Sequence, residues 1–92
     1  MSSLSTRISI PEQVFFRDLG GEAVLLELAT GRYYGFDEVG TRMWLLLREH
    51  GELKAAFRAL ASEYKVPEDE LRRDFLEFID GLASRRLLEL HE

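Results

Sequence analysis

Cysteine is absent from the 92 residues, which excludes both a disulfide framework and a thiolate metal site. Packing alone has to hold the fold. Long apolar runs are missing as well. The longest, Met43 to Leu47, is far too short to span a bilayer, and Met1 to Ser9 lacks the apolar stretch of a signal peptide. No membrane partner is expected, and a cytoplasmic location follows by default. Histidine is scarce: His50 and His91 lie at a helix end and near the end of the chain, and neither has a patterned acidic or histidine neighbour to complete a site. Neither a metal nor another cofactor is expected. The mechanical parts of zinc hydrolysis, nucleotide or dinucleotide binding and elbow-type serine chemistry (HExxH, P-loop, GxGxxG, GxSxG) do not occur. Ser62 and Ser84 have no base at sequence level, and the acids Glu68, Asp69, Glu70, Asp74 and Glu77 are explained by helix electrostatics. The inventory argues against an enzyme.

Positive charge is also in deficit. A net charge of −5 repels polyanions, so nucleic acid is not an expected partner. Arg72, Arg73, Arg85 and Arg86 do cluster in the last quarter of the chain, where solvated helix faces are the simpler reading.

Hydrophobic residues make up 46% of the chain and charged residues 32%, a globular balance, and the length suits one domain with a modest core. Residues 1–12 are polar, end at Pro11-Glu12 and read as a flexible tail; the domain proper is expected over 13–92. Val14 to Leu19 and Glu22 to Leu28 read as strands joined by a Gly20-Gly21 hairpin turn, and Arg32 to Phe36 follows Ala29-Thr30-Gly31 as a short aromatic third strand. At Asp37 the period changes. Asp37 can cap a helix with Val39, Met43, Leu46 and Leu47 on one face, ended by Gly51. A second helix runs from Leu53 to Tyr64, with its stripe at Leu53, Ala56, Phe57, Leu60, Ala61 and Tyr64. A third opens at Pro67 and runs toward Arg85 and Arg86, with Leu71, Phe75, Phe78 and Leu82 on one apolar stripe, which suffices for a core, and Leu76, Ile79 and Ala83 on another. Leu87, Leu88 and Leu90 either extend it or fold back on the core. The expected fold is α+β and winged helix-turn-helix-like, a three-stranded antiparallel sheet followed by three helices. Both alternating sets of strand residues look apolar, Val24, Leu26 and Leu28 on one and Ala23 and Leu25 on the other, so the sheet has surface to spare for a partner or for the tail.

The run from Glu22 to Trp44 resembles the core motif of the PqqD family: an apolar strand, then Gly31-Arg32-Tyr33-Tyr34-Gly35-Phe36-Asp37, then Val39-Gly40 opening a helix that carries Met43-Trp44. Asp74 in the later acidic helix and the closing Arg86-Leu87-Leu88-Glu89 also fit, so the likeness covers about residues 14 to 90. It departs at Phe36-Asp37, where the family has Leu-Asn, and at Val66, where the family has a capping Asp or Ser. The Val66 departure costs about 1 kcal/mol of local helix stability.

The resemblance implies a non-catalytic recognition element for the leader of a ribosomally made precursor peptide. The leader would add as a strand to the third-strand edge, against the third helix, and be delivered to a modifying enzyme. Main-chain hydrogen bonds then give affinity and side-chain pockets give specificity. The run Glu38 to Trp44 favours the lasso-peptide type, with a leader peptidase as partner, over the PqqD type, with a radical enzyme. The candidate peptide-binding residues are Arg32, Tyr33, Tyr34, Gly35 and Phe36 on the strand, and Arg72, Arg73, Phe75, Leu76, Ile79 and Ala83 on the helix. At most one of Tyr33 and Tyr34 can face a given pocket, and Trp44 reads as core. Two alternatives stay open: a winged-helix DNA reader, whose second helix would carry only Lys54 and Arg58, and a homodimer through paired edge strands.

Overall fold

A computed structural model describes residues 6–91. The two glycines of the first hairpin sit at positive φ, 82° at Gly20 and 99° at Gly21, where a side chain would be strained. Asp18 Oδ1 accepts from the Gly21 N–H at 2.8 Å and closes that turn. It joins β2 (Val14–Asp18) to β3 (Ala23–Glu27), after the short β1 (Arg7–Ser9). The second turn is held by Glu27, whose carboxylate accepts from the Ala29 and Thr30 N–H groups at 2.8 and 3.1 Å. β4 (Arg32–Gly35) then returns along β3. The sheet is antiparallel in the order β2-β3-β4, with Leu25 opposite Phe16 on one side and Tyr34 on the other.

Helix α1 (Glu38–His50) begins where Asp37 Oδ1 accepts from the Gly40 N–H at 2.8 Å. It stops at Gly51, which turns left-handed at φ 69° and donates to Leu47 O. α2 (Leu53–Glu63) follows at once and buries Leu53, Ala56, Phe57 and Leu60 of the predicted stripe, while Ala61 is half-buried and Tyr64, half-buried too, is the residue that ends the helix. α3 (Glu68–Ser84) starts one residue later than the sequence reading: Pro67 is its cap and Glu68 its first helical residue. The three helices lie on one face of the sheet, and Leu25, Trp44, Leu47, Leu53, Leu60, Phe75 and Ile79 are closed off between the layers. A buried hydrogen bond locks the layers in register, with the Ala23 N–H donating to Thr41 Oγ1 at 2.9 Å. Val39, expected on the inner face of α1, is instead exposed, at 39%.

The C-terminus of α3 explains the last apolar run. Arg86 takes a left-handed φ of 59°, its N–H donates to Ala83 O, and the Leu87 N–H reaches back to Leu82 O at 2.9 Å. This is the double closure of a Schellman motif, with Leu82 and Leu87, the residues at its two ends, both buried. The chain is thereby turned back onto the core, where Leu87 and Leu88 are buried, and continues as β5 (Glu89–His91).

β5 corrects the reading of residues 1–12 as a tail. β1 pairs with it antiparallel, Arg7 with His91, Ile8 with Leu90 and Ser9 with Glu89. The Ile8 N–H donates to Gly51 O and the Leu53 N–H to Thr6 O, both at 3.0 Å. The polar composition concealed a segment whose backbone has partners on two sides and whose Ile8 and Ile10 pack on the core. Residues 1–5 of the expected tail lie outside the described residues.

Candidate functional site

Among the described residues β4 has a strand partner on one side only. The Phe36 N–H is spent on Ala23 O at 2.8 Å, so the alternation of an antiparallel ladder turns the N–H and C=O groups of Tyr33 and Gly35 toward the open edge. Side chains alternate in the same way. Tyr34 is half-buried and points with Leu25 toward the helices, whereas Tyr33 lies 74% exposed on the opposite face.

Beside this edge runs the C-terminal half of α3. Tyr33, Tyr34, Gly35 and Phe36 on the strand, with Leu82, Arg85 and Leu87 across from them, line a cleft of about 410 Å³. Its floor is aromatic. Phe36 meets Phe78 edge to face at 5.2 Å and packs on Trp44 at 6.2 Å, and Trp44 in turn stacks on Phe16. Gly40 leaves room for this floor, since a Cβ there would stand 3.4 Å from both Phe36 and Phe78 and 3.2 Å from the capping Asp37 oxygen. Trp44 is buried, as expected for core, and its indole N–H has no hydrogen-bond partner among the described residues.

The strand half of the predicted site is therefore brought together, apart from Arg32, which is exposed at the start of β4 and does not line the cleft. The helix half is corrected. Phe75 and Ile79 are both 0% exposed, so they form the core ridge of α3 and offer nothing to a ligand. Arg72, Arg73 and Leu76 line a separate depression, with Asp69, Glu77 and Asp80, on the part of α3 turned away from β4. The Arg72 guanidinium lies over the Phe57 ring of α2 at 5.4 Å and faces Glu68 at 3.8 Å. Ala83 is half-buried and also outside the cleft. The residues that meet the strand are Phe78, Leu82, Arg85 and Leu87. Phe78 and Leu82 read as core in the sequence, and the Schellman turn that returns Leu87 has Arg86 where its usual marker would be glycine.

The outer face of the sheet is a second feature. Phe15 (54% exposed), Leu19, Leu28 and Tyr33 stand with Val24 and Leu26 around a shallow hollow of about 710 Å³, in which Arg17 is the one charged lining residue among those described. Tyr33 belongs both to this face and to the cleft. The segment 1–12 does not cover the face where it is described, because β1 lies on β5. Among the described residues there is no cluster of three or more His, Asp or Glu able to hold a metal ion, and no helix long and apolar enough to cross a membrane.

Residues 22–88 match the family model described as coenzyme PQQ synthesis protein D (PqqD). The chain belongs to the PqqD family. The match spans β3 through the Schellman turn, so the whole cleft falls inside it. Among solved structures, the chain is similar to that of TbiB1 in complex with the TbiA(beta) leader peptide. Identity is 39%, coverage is 87% of this chain and 93% of that one, and the TM-score is 0.81. It is also similar in fold to a lasso peptide synthetase B1 complexed with the leader peptide, at 17% identity, 90% and 98% coverage and a TM-score of 0.80. No curated protein sequence matches. The PqqD-family fold is thus the expected α+β one, three helices on a three-stranded antiparallel sheet.

Proposed function

We propose that this PqqD-family protein binds the leader of a ribosomally synthesised precursor peptide, without catalysing a reaction on it, and delivers it to a modifying enzyme in a lasso-peptide pathway. The observation that carries this reading is the open β4 edge beside a cleft along α3 with an aromatic floor. An extended peptide can place its main chain on Tyr33 and Gly35 and drop alternate side chains toward Phe36, Leu82 and Leu87. A chain 39% identical whose structure holds a leader peptide supports it. The net charge of −5 argues against DNA as the ligand, and a cytoplasmic setting goes with peptide synthesis on ribosomes.

Delivery calls for a second surface, and the outer sheet face supports that part of the reading. Contiguous exposed apolar surface of this kind marks interaction sites. Among the described residues Arg17 is the one charged residue lining the hollow, so two copies docked hollow to hollow would bring two like guanidinium groups together. A different protein, the leader peptidase or another modifying enzyme, is therefore favoured over a homodimer.

The test is an NMR titration of isotope-labelled protein with the leader half of the precursor peptide encoded beside it, with a DNA duplex as control. Shifts confined to Tyr33–Phe36 and Phe78–Leu87 are expected. Silence toward the peptide, or DNA-induced shifts along α2, would replace this reading with the winged-helix one.

A further inference from the structure

Among the described residues the cleft contains one charged side chain, and it is held in place. Arg85 lies over the Tyr34 ring with its guanidinium carbon 5.7 Å from the ring centroid, and Nη1 donates to Gly81 O at 3.1 Å. Gly81 makes that posture easy: a Cβ there would come within 3.2 Å of Nη1, and a glycine inside a helix otherwise costs about 1 kcal/mol. Stacking and the carbonyl contact occupy one face and one donor of a group with five N–H donors. No carboxylate stands within ion-pair distance of it among the described residues. The result is an oriented cation, with unspent donors, at the lip of a cleft whose other lining side chains are uncharged.

Strand register says what would meet it. A peptide antiparallel to β4 that pairs with Tyr33 and Gly35 sets its inward side chains opposite Phe36 and then, two residues later and about 7 Å along, opposite Tyr34. The first falls on the aromatic floor of Phe36 and Phe78. The second arrives beside the Arg85 guanidinium.

We infer that Arg85 is a specificity-determining residue that selects peptides carrying Asp or Glu two residues after the apolar side chain seated on Phe36. The inference rests on the strand-addition reading and adds a charge rule to it. A carboxylate there accepts charge-assisted hydrogen bonds from the free edge of the guanidinium, whereas Lys or Arg meets like charge.

The experiment is a selection from a library of random twelve-residue peptides, run in parallel on wild type, Arg85→Glu and Arg85→Gln. Arg85 is exposed, so all three should give the same circular dichroism spectrum, and Arg85→Gln keeps the comparison usable if the reversed charge disturbs the helix end. Wild type should enrich Asp or Glu over Lys or Arg at the second position after the apolar anchor by about fivefold, the size of one exposed charge contact. Arg85→Glu should invert that preference, and Arg85→Gln should erase it. If wild type and variants enrich the same anchored peptides with no charge preference, the role of Arg85 is overturned and strand addition stands. If wild type enriches no peptide at all, strand addition is overturned and the charge rule with it.

Discussion

The two flanks of α3 carry similar residues and meet different surroundings. Toward β4, Phe78, Leu82 and Arg85 complete an open cleft against Tyr34 and Phe36. On the other flank Arg72, Arg73 and Leu76 stand among Asp69, Glu77 and Asp80, with Arg72 stacked on Phe57. Each flank has an aliphatic or aromatic group and arginine, and each has a shallow depression. What separates them is the neighbour: an unpaired strand edge with main-chain groups to offer on one side, and the already satisfied helix α2 on the other. A helix flank becomes a binding surface through the element beside it, and side-chain composition alone does not reveal which flank that is.

Between the flanks lies the core ridge, and breaking it should abolish the distinction altogether. Phe75→Ala is expected to cost about 3–5 kcal/mol, since Phe75 is fully buried against Phe57 at a centroid separation of 5.6 Å. Chemical denaturation followed by circular dichroism measures it. The flanks themselves are compared by Tyr34→Ala and Leu76→Ala. Losing Tyr34 should weaken leader binding about tenfold, or roughly 1.4 kcal/mol, while losing Leu76 should leave the affinity unchanged. Equal losses by isothermal titration would erase the difference between the flanks. A smaller effect of opposite sign is expected at the turn that seats Leu87 in the cleft: Arg86→Gly relieves a left-handed non-glycine and should raise stability by about 0.5–1 kcal/mol, read as an increase in Tm.

The weakest effect concerns the turn that presents β4. The Ala29 N–H, then the Thr30 side chain and N–H, hold the Glu27 carboxyl below its ordinary range, against a smaller opposing effect of burial. A lowered folded-state pKa means that Glu27 stabilises the protein above its unfolded value. That contribution is lost as the pH falls through the folded one. Glu27→Gln should thus be less stable than wild type at neutral pH, and the gap should close on acidification below the usual carboxylate range. A gap that stayed constant with pH would show that the turn does not depend on the charge.

Much of this architecture was legible because local chemistry marks it. Gly20-Gly21, Asp37, Gly51 and the Leu53 to Leu60 stripe each stand where turn, cap and packing rules put them. The edge strand was legible too, through Gly31 to Asp37 and the likeness it carries. Two things were not. The helix half of the site depends on how α3 crosses the sheet, and a helix with apolar residues around half its circumference looks alike for either flank: Phe78 and Leu82 read as core, Leu76 and Ile79 as groove. Strand β1 was hidden because pairing uses the backbone. Arg7-Ile8-Ser9 has no pattern of its own, and its partners lie some eighty positions away at Glu89–His91.

That pairing has a consequence for how the domain can be carried. Arg7 and His91 are cross-strand neighbours, so the incoming and outgoing chain stand about 4.7–4.9 Å apart, one strand spacing. A host polypeptide could enter at β1 and leave at β5 with little distance to bridge, the geometry that domain insertion tolerates best. The β1–β5 clasp makes the fold a cassette that can be spliced into the loop of a larger enzyme without opening its core.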